Sequence, residues 1–155
     1  MKGVKEFKRE KTRLTEYTYE GHIYKWRFFL KILWMIIAIF PGSFFFHFYE
    51  TTMRNQEAEI NYSFIYGALV IWSTVAGALS TQVRIHQFLL MNAFMILLSM
   101  LLAELFITPP NQSWFNPFTM NVVIVLSGLL IVIGQSLARL LTKAILNSIK
   151  KEANT

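Results

Sequence analysis

The sequence contains neither cysteine nor aspartate. The absence of cysteine excludes disulfides, thiolate metal sites and thiol chemistry, and the absence of aspartate excludes any reaction that needs that side chain. Charge is also scarce, since 15% of the 155 residues are charged, against roughly 25% in a typical soluble domain. With 54% hydrophobic residues and a length that allows one domain, the composition favours burial in lipid over a water-soluble core.

Long apolar runs dominate what is present. The last of them, from Phe118 to Leu141, carries no charge until Arg139, so at ~1.5 Å per residue it can cross a ~30 Å hydrocarbon layer. Three similar runs precede it, and the spans are expected at about 28–49, 62–81, 88–107 and 118–141. The sequence therefore predicts an all-α polytopic membrane protein, a four-helix transmembrane bundle. A basic, aromatic N-terminal segment (1–27) and a tail (142–155), into which the last helix extends, would flank it.

The basic residues are distributed unevenly between the predicted connections. Of the 15 lysines and arginines, only Arg54 falls in a loop on the far side of the first span. The positive-inside rule then predicts that both termini and the middle connection are cytoplasmic, in an integral protein of the bacterial cytoplasmic (inner) membrane. The same rule accounts for the net charge of +6, so nucleic acid is not expected as a partner. Side chains expected to contact lipid headgroups at the start of the first span are Lys25, Trp26, Arg27 and Lys31.

Small and polar residues form stripes on two of the spans. On the last span small and amide residues recur every seven positions, at Asn121, Gly128 and Gln135, with Gly134 beside them. A second group lies on the span from 62 to 81 and contains Gly67, Thr74 and Gly77. Such residues let helices approach closely in lipid, which is the favoured interpretation; alternatively, they line a lumen in an oligomer.

Gln135 is the deepest amide of this stripe and should find a protein partner, because an unsatisfied amide in hydrocarbon is costly. The candidate partners at its depth are Thr74, Ser80, Thr81 and Asn92, or Gln135 of a second copy.

Two other features mark the spans. His47 and Glu104 are expected at similar depth near the outer face, where they would either be solvated or form a buried polar pair. Pro41 and Gly42 interrupt the first span, and proline there predicts a kink at the preceding turn.

No catalytic motif of a known membrane hydrolase occurs in the sequence, and its three histidines are divided between the two sides of the membrane. We therefore expect no enzyme activity, no metal site and no cofactor. The predicted function is a small membrane protein that acts through helix contacts as a regulatory, accessory or immunity-type subunit. Its partners would be the lipid bilayer and a second copy or a larger membrane protein. The alternative is a homo-oligomeric transporter or pore for a small solute or ion.

Overall fold

A computed structural model describes residues 25–111 and 113–153. Every regular element in this part of the chain is helical. Residues 25–38 form α1, and α2 (Gly42–Asn55), α3 (Tyr62–Leu79), a 3₁₀ turn (Ser80–Gln82), α4 (Ile85–Phe106) and α5 (Met120–Glu152) follow. Most of the predicted N-terminal segment and the end of the tail lie outside the described residues.

Four helical stretches are long and apolar enough to cross a membrane, which confirms the all-helical prediction. Their bounds are Lys25–Asn55, Tyr62–Gln82, Ile85–Phe106 and Met120–Glu152. The first combines α1 and α2, and the last continues past the predicted end of the span at 141.

The two ends of the bundle differ in their connections. One end, called here the turn end, carries the short connection 80–84 together with the start of α1. The other, the loop end, carries the longer connections 56–61 and 107–119, which Asn55 joins by donating from Nδ2 to the Thr108 carbonyl at 2.9 Å. The short turn reverses the chain between α3 and α4, but these two helices do not pack on each other: α3 packs on α5, and α4 packs on α2 and α5.

Proline breaks the first apolar stretch between α1 and α2, as the sequence predicts. Pro41 has no N–H to donate to the carbonyl four residues earlier, which belongs to Ile37. The indole Nε1 of Trp72 on α3 donates to that carbonyl at 3.1 Å, so a side chain supplies the hydrogen bond that proline cannot. A Cβ on the next residue, Gly42, would lie 2.8 Å from the Trp72 ring, and glycine therefore lets α3 reach the break.

The buried residues form two apolar clusters with polar groups between them. Near the turn end Trp34, Ala38 and Phe88 pack together. Near the loop end a second cluster contains Phe44, Ala103, Ile107 and Ile124. On α4 the buried positions between Phe88 and Ala103 include Asn92 and Ser99, so the middle of the bundle is joined by small and polar groups.

Candidate functional site

The stripe on α5 faces the other helices. Gly128 and Gln135 are buried, and Asn121 and Gly134 are partly buried. A Cβ at Gly128 would lie 2.7 Å from Ile96 on α4. Glycine at this position therefore lets α4 and α5 approach more closely than a larger residue would permit.

The small residues of α3 do not share one face. Gly77 is buried against α5, where an added Cβ would collide with the backbone carbonyl of Gln135 and lie 2.7 Å from the Cβ of Ala138. A Cβ added at Gly67 would have no atom of a neighbouring helix within 4 Å. Both Gly67 and Thr74 are exposed. The expected stripe on α3 thus consists of one position used inside the bundle and two that face outward.

The Gln135 side chain has the burial that the sequence predicts but lacks the expected partner. It is 1% exposed, and neither its Oε1 nor its Nε2 has a hydrogen-bond partner among the described residues. Each candidate partner directs its donor to its own helix instead: Thr74 to Val70, Ser80 to Gly77, Thr81 to Ala78 and Asn92 to Phe88. Local backbone carbonyls compete for these short side chains, which a heptad pattern alone does not reveal.

Arg139, one turn further along α5, carries a role that the sequence analysis missed. It is 5% exposed, and its guanidinium donates to the carbonyl of Ser80 and, at 2.8 Å, to that of Val83. The guanidinium carbon also lies 5.2 Å from the centroid of the Phe88 ring. Because the last carbonyls of a helix lack partners within the helix, this arginine closes the end of the 3₁₀ turn and joins α3, α4 and α5. The sequence signal for this role was the position of Arg139 four residues after Gln135, which places the two side chains on one face of the helix.

His47 lies at the loop end of the bundle in a small polar network. Its ring is 5% exposed, with Nε2 3.2 Å from the hydroxyl of Ser127 on α5. Its Nδ1 is 3.4 Å from Oε2 of Glu50, a distance compatible with an ion pair, although the angles do not meet those of a hydrogen bond. The Tyr62 hydroxyl donates to Glu50 Oε1 at 3.4 Å. Three helices therefore meet at one titratable pair.

His47 and Glu104 do not form the expected pair, because each is bonded to other residues. Glu104 is exposed and accepts a hydrogen bond from Asn121 Nδ2 at 2.9 Å. The neighbouring Ala103 takes the position that faces the core of the bundle, so α4 directs Glu104 toward its surface. The Asn121 Oδ1 remains buried without a partner among the described residues.

The remaining predicted residues lie at the surface. Lys25, Trp26, Arg27 and Lys31 are all exposed on α1 near the turn end. Within the described residues no group of three or more histidine and glutamate side chains is placed to hold a metal ion.

A groove of about 410 Å³ opens on the surface between α2, α3 and α5. Its walls are mostly apolar and include Phe46 and Tyr66, whose rings contact each other with centroids 5.5 Å apart. Four serine and threonine residues also line it, namely Ser43, Ser73, Thr74 and Ser127. Through Ser127 the groove adjoins the His47 network, and together they form the candidate functional site.

Comparison with known proteins identifies no relative: no protein-family model, curated protein sequence or solved structure matches the chain.

Proposed function

We propose that the four apolar helices lie in the bacterial cytoplasmic membrane, with the turn end and both termini in the cytoplasm. Support comes from the distribution of charge: the loop end has a single basic residue, Arg54 in the last turn of α2, whereas the other basic residues lie near the turn end and the termini. Large apolar side chains are exposed along the helices, among them Leu90 at 73% and Leu105 at 74%, and hydrocarbon would solvate them. Cysteines at Gln56 and Ile85 should react with a membrane-impermeant maleimide from outside and inside, respectively. Labelling of Gln56→Cys only from the cytoplasm would contradict this topology.

We further propose that the protein is a non-enzymatic regulatory, accessory or immunity-type subunit that binds another membrane protein, or its own copy, by helix contacts. One observation carries this proposal: Gly67 lies on a face of α3 that nothing in the described chain covers. A glycine in a helix facing lipid offers no packing surface, whereas against a second helix it allows close backbone approach. Its counterpart Gly77 serves that purpose inside the bundle.

Photocrosslinking in intact membranes tests the contact. A benzophenone side chain at Ile71, which is 67% exposed and follows Gly67 by one helical turn, leaves the glycine in place and should give an adduct of one defined mass. Native mass measurement in detergent would show whether the second component of the adduct is this chain. The matched control is the same side chain at Leu90, an exposed position on α4. No defined adduct at Ile71, or the same adduct from Leu90, would contradict the proposal.

The transporter alternative also has one observation in its favour. The buried amide of Gln135 has no hydrogen-bond partner among the described residues, as expected for a group that binds a passing solute. Packing at Gly77 and Gly128 closes the interior on both sides of it, which favours helix contacts. Ion or solute flux into liposomes containing only this protein would reverse that preference.

A further inference from the structure

We propose that residues 14–24 of this chain pack on the part of α5 that extends past the membrane, where they cover an apolar face of that helix at the turn end. The inference rests on the proposed membrane location of the helices and is independent of the Gly67 contact.

α5 is longer than a bilayer requires. Its 33 residues extend over about 50 Å at ~1.5 Å per residue, whereas the hydrocarbon layer is ~30 Å thick. With Met120 at the loop-end boundary, the helix leaves the hydrocarbon near Arg139, and the headgroup layer of ~6 Å ends about four residues later. The α5 extension (residues 142–152) therefore projects into water, and it contains no proline or glycine that would bend it back to the membrane.

The α5 extension has an apolar face that the described residues leave uncovered. Ile145, Leu146 and Ile149 are 59%, 50% and 57% exposed. Ile149 follows Leu146 by three residues and Ile145 by four, so the three side chains share one face of the helix. Within the membrane, hydrocarbon would solvate such side chains, but here they would face water. A contiguous apolar face in water indicates an interaction surface for protein.

This face continues the side of α5 that packs on the other helices. Along that side, residues at intervals of seven lead to Ile149: Gly128, Gln135 and Thr142. The first two are buried and the third is partly buried. Seven residues are nearly two helical turns, so Ile149 points in the direction of the buried stripe. Because Arg139, ten residues earlier, already contacts the connection 80–84, the apolar face overhangs the turn end of its own bundle.

The direction of the face decides between the possible partners. Two copies with the same orientation in a membrane are related by an axis along the membrane normal, so they meet at their sides. A face directed across its own bundle is badly placed for such a contact. It is well placed for chain that emerges at the turn end.

The chain before Lys25 emerges at this place. Trp34 of α1 packs on Phe88 of α4, and the guanidinium carbon of Arg139 lies 5.2 Å from the centroid of the same ring. Lys25 precedes Trp34 by nine residues and Ile149 follows Arg139 by ten, so both lie about 14–15 Å beyond this level. The eleven residues before Lys25 can reach up to ~36 Å, several times the ~8–10 Å between packed helices.

Composition selects residues 14–24 from the chain that precedes α1. This stretch contains Glu16 and Glu20 and no lysine or arginine, whereas residues 2–13 contain six lysines and arginines. Its apolar and aromatic side chains are interspersed with the glutamates, namely Leu14, Tyr17, Tyr19, Ile23 and Tyr24. The stretch can therefore supply both apolar contacts and negative charge.

Lysines border the apolar face of the α5 extension. Lys143 precedes Leu146 by three residues and Lys150 follows it by four, so both lie beside it on the helix surface. The only carboxylate in the extension is that of Glu152 at its end. The glutamates of residues 14–24 would find cations here, whereas like charge disfavours the more basic residues before them.

The absence of cysteine makes disulfide mapping of the full chain direct. Tyr17→Cys is combined with Ile149→Cys on the apolar face. The matched control combines it with Asn147→Cys, an exposed position on the opposite side of the same turn. After oxidation in native membranes, the first pair should form a disulfide within one chain, seen as a reducible change in gel mobility at unchanged mass. Its yield should exceed that of the control pair several-fold, because docking fixes the side of α5 that Tyr17 meets.

A second measurement leaves residues 14–24 without a cysteine. In the single variant Ile149→Cys, the rate of reaction with N-ethylmaleimide, which crosses membranes, reports how often the face is uncovered. Replacing Tyr17 and Tyr19 by serine should raise this rate about tenfold, as expected if the face is covered about nine-tenths of the time. The same replacement should leave the rate of Asn147→Cys unchanged.

Three results would overturn the proposal. Equal disulfide yields from the two cysteine pairs would mean that residues 14–24 have no fixed position on α5. A disulfide that joins two chains would assign the face to a second copy. A rate at Ile149→Cys that the serine replacements do not change would mean that these residues do not cover the face. Reversed labelling of Gln56→Cys and Ile85→Cys would contradict the topology alone, since the turn end would then project into water on the other side.

Discussion

Each end of the bundle buries a polar side chain, and the two side chains are equally buried but have different surroundings. Arg139 at the turn end and His47 at the loop end are each 5% exposed. Arg139 donates to two backbone carbonyls at the end of a helix, those of Ser80, which also accepts from the Val83 N–H, and Val83. His47 contacts two side-chain groups instead, the hydroxyl of Ser127 and the carboxylate of Glu50.

This difference indicates which polar groups hold the fold and which are available for binding. An arginine on backbone carbonyls is held by groups that cannot move away, and removing it leaves the Val83 carbonyl without a donor among the described residues. The imidazole of His47 can instead donate from either ring nitrogen, depending on its tautomer. Burial alone therefore does not distinguish the two side chains; the chemistry of their partners does.

The largest effect is expected from Arg139→Leu. Loss of both hydrogen bonds to the carbonyls of Ser80 and Val83 should lower the free energy of unfolding by about 2–4 kcal/mol, since bonds from a charged donor are stronger than neutral ones. Chemical denaturation in detergent, followed by circular dichroism, measures it. Arg54→Leu is the control, an exposed arginine near the Trp114 ring that should change stability by less than ~0.5 kcal/mol. Equal losses in the two variants would remove the structural role of Arg139.

A smaller loss is expected from Gly77→Ala. The added methyl group meets the backbone of α5, which cannot yield without separating the helices, so a cost of about 1–3 kcal/mol follows. Gly67→Ala places the same methyl group ten residues earlier in α3, in open space. In the purified monomeric chain, without the proposed partner helix, it should be neutral or slightly stabilising because alanine is the better helix former. If thermal melting ranks these two variants in the opposite order, α3 does not pack on α5 through Gly77.

The smallest effect is expected from Gln135→Leu. Its side-chain amide makes no hydrogen bond to the described residues, so an apolar side chain of similar size should be neutral or stabilising by up to ~1 kcal/mol. The same denaturation experiment provides the measurement. A loss above ~1 kcal/mol would mean that Gln135 has a partner in the assembled protein, such as the same residue of a second copy.

The number and position of the helices follow from the sequence because each helix makes its backbone hydrogen bonds within itself. An apolar run of sufficient length satisfies its own backbone, whatever its neighbours are. The break at Pro41 was predictable for the same reason. The hydrogen bond from Trp72 to the Ile37 carbonyl was not predictable, because a donor on another helix leaves no local pattern in the sequence.

The candidate site was predictable only in part, since short polar side chains choose between partners of similar energy. The sequence placed His47 and Glu104 at one depth but could not show that Ala103 takes the core position on α4. Nor could it show that the hydroxyl of Ser127 lies 3.2 Å from His47 Nε2. For Gln135 the burial was predictable from the heptad spacing, whereas the competition of local carbonyls for Thr74 and Asn92 was not.

Parallel unfolding of Arg139→Leu and His47→Leu under one set of conditions tests the central comparison most directly. Both variants replace a buried polar side chain by leucine, and both are measured against the wild-type protein in the same detergent. We predict that His47→Leu costs no more than ~1 kcal/mol, the value of one hydrogen bond between helices, and that Arg139→Leu costs at least ~1 kcal/mol more. Equal costs, or a larger cost for His47→Leu, would show that the loop-end network holds the fold together and would contradict its assignment as the site available for binding.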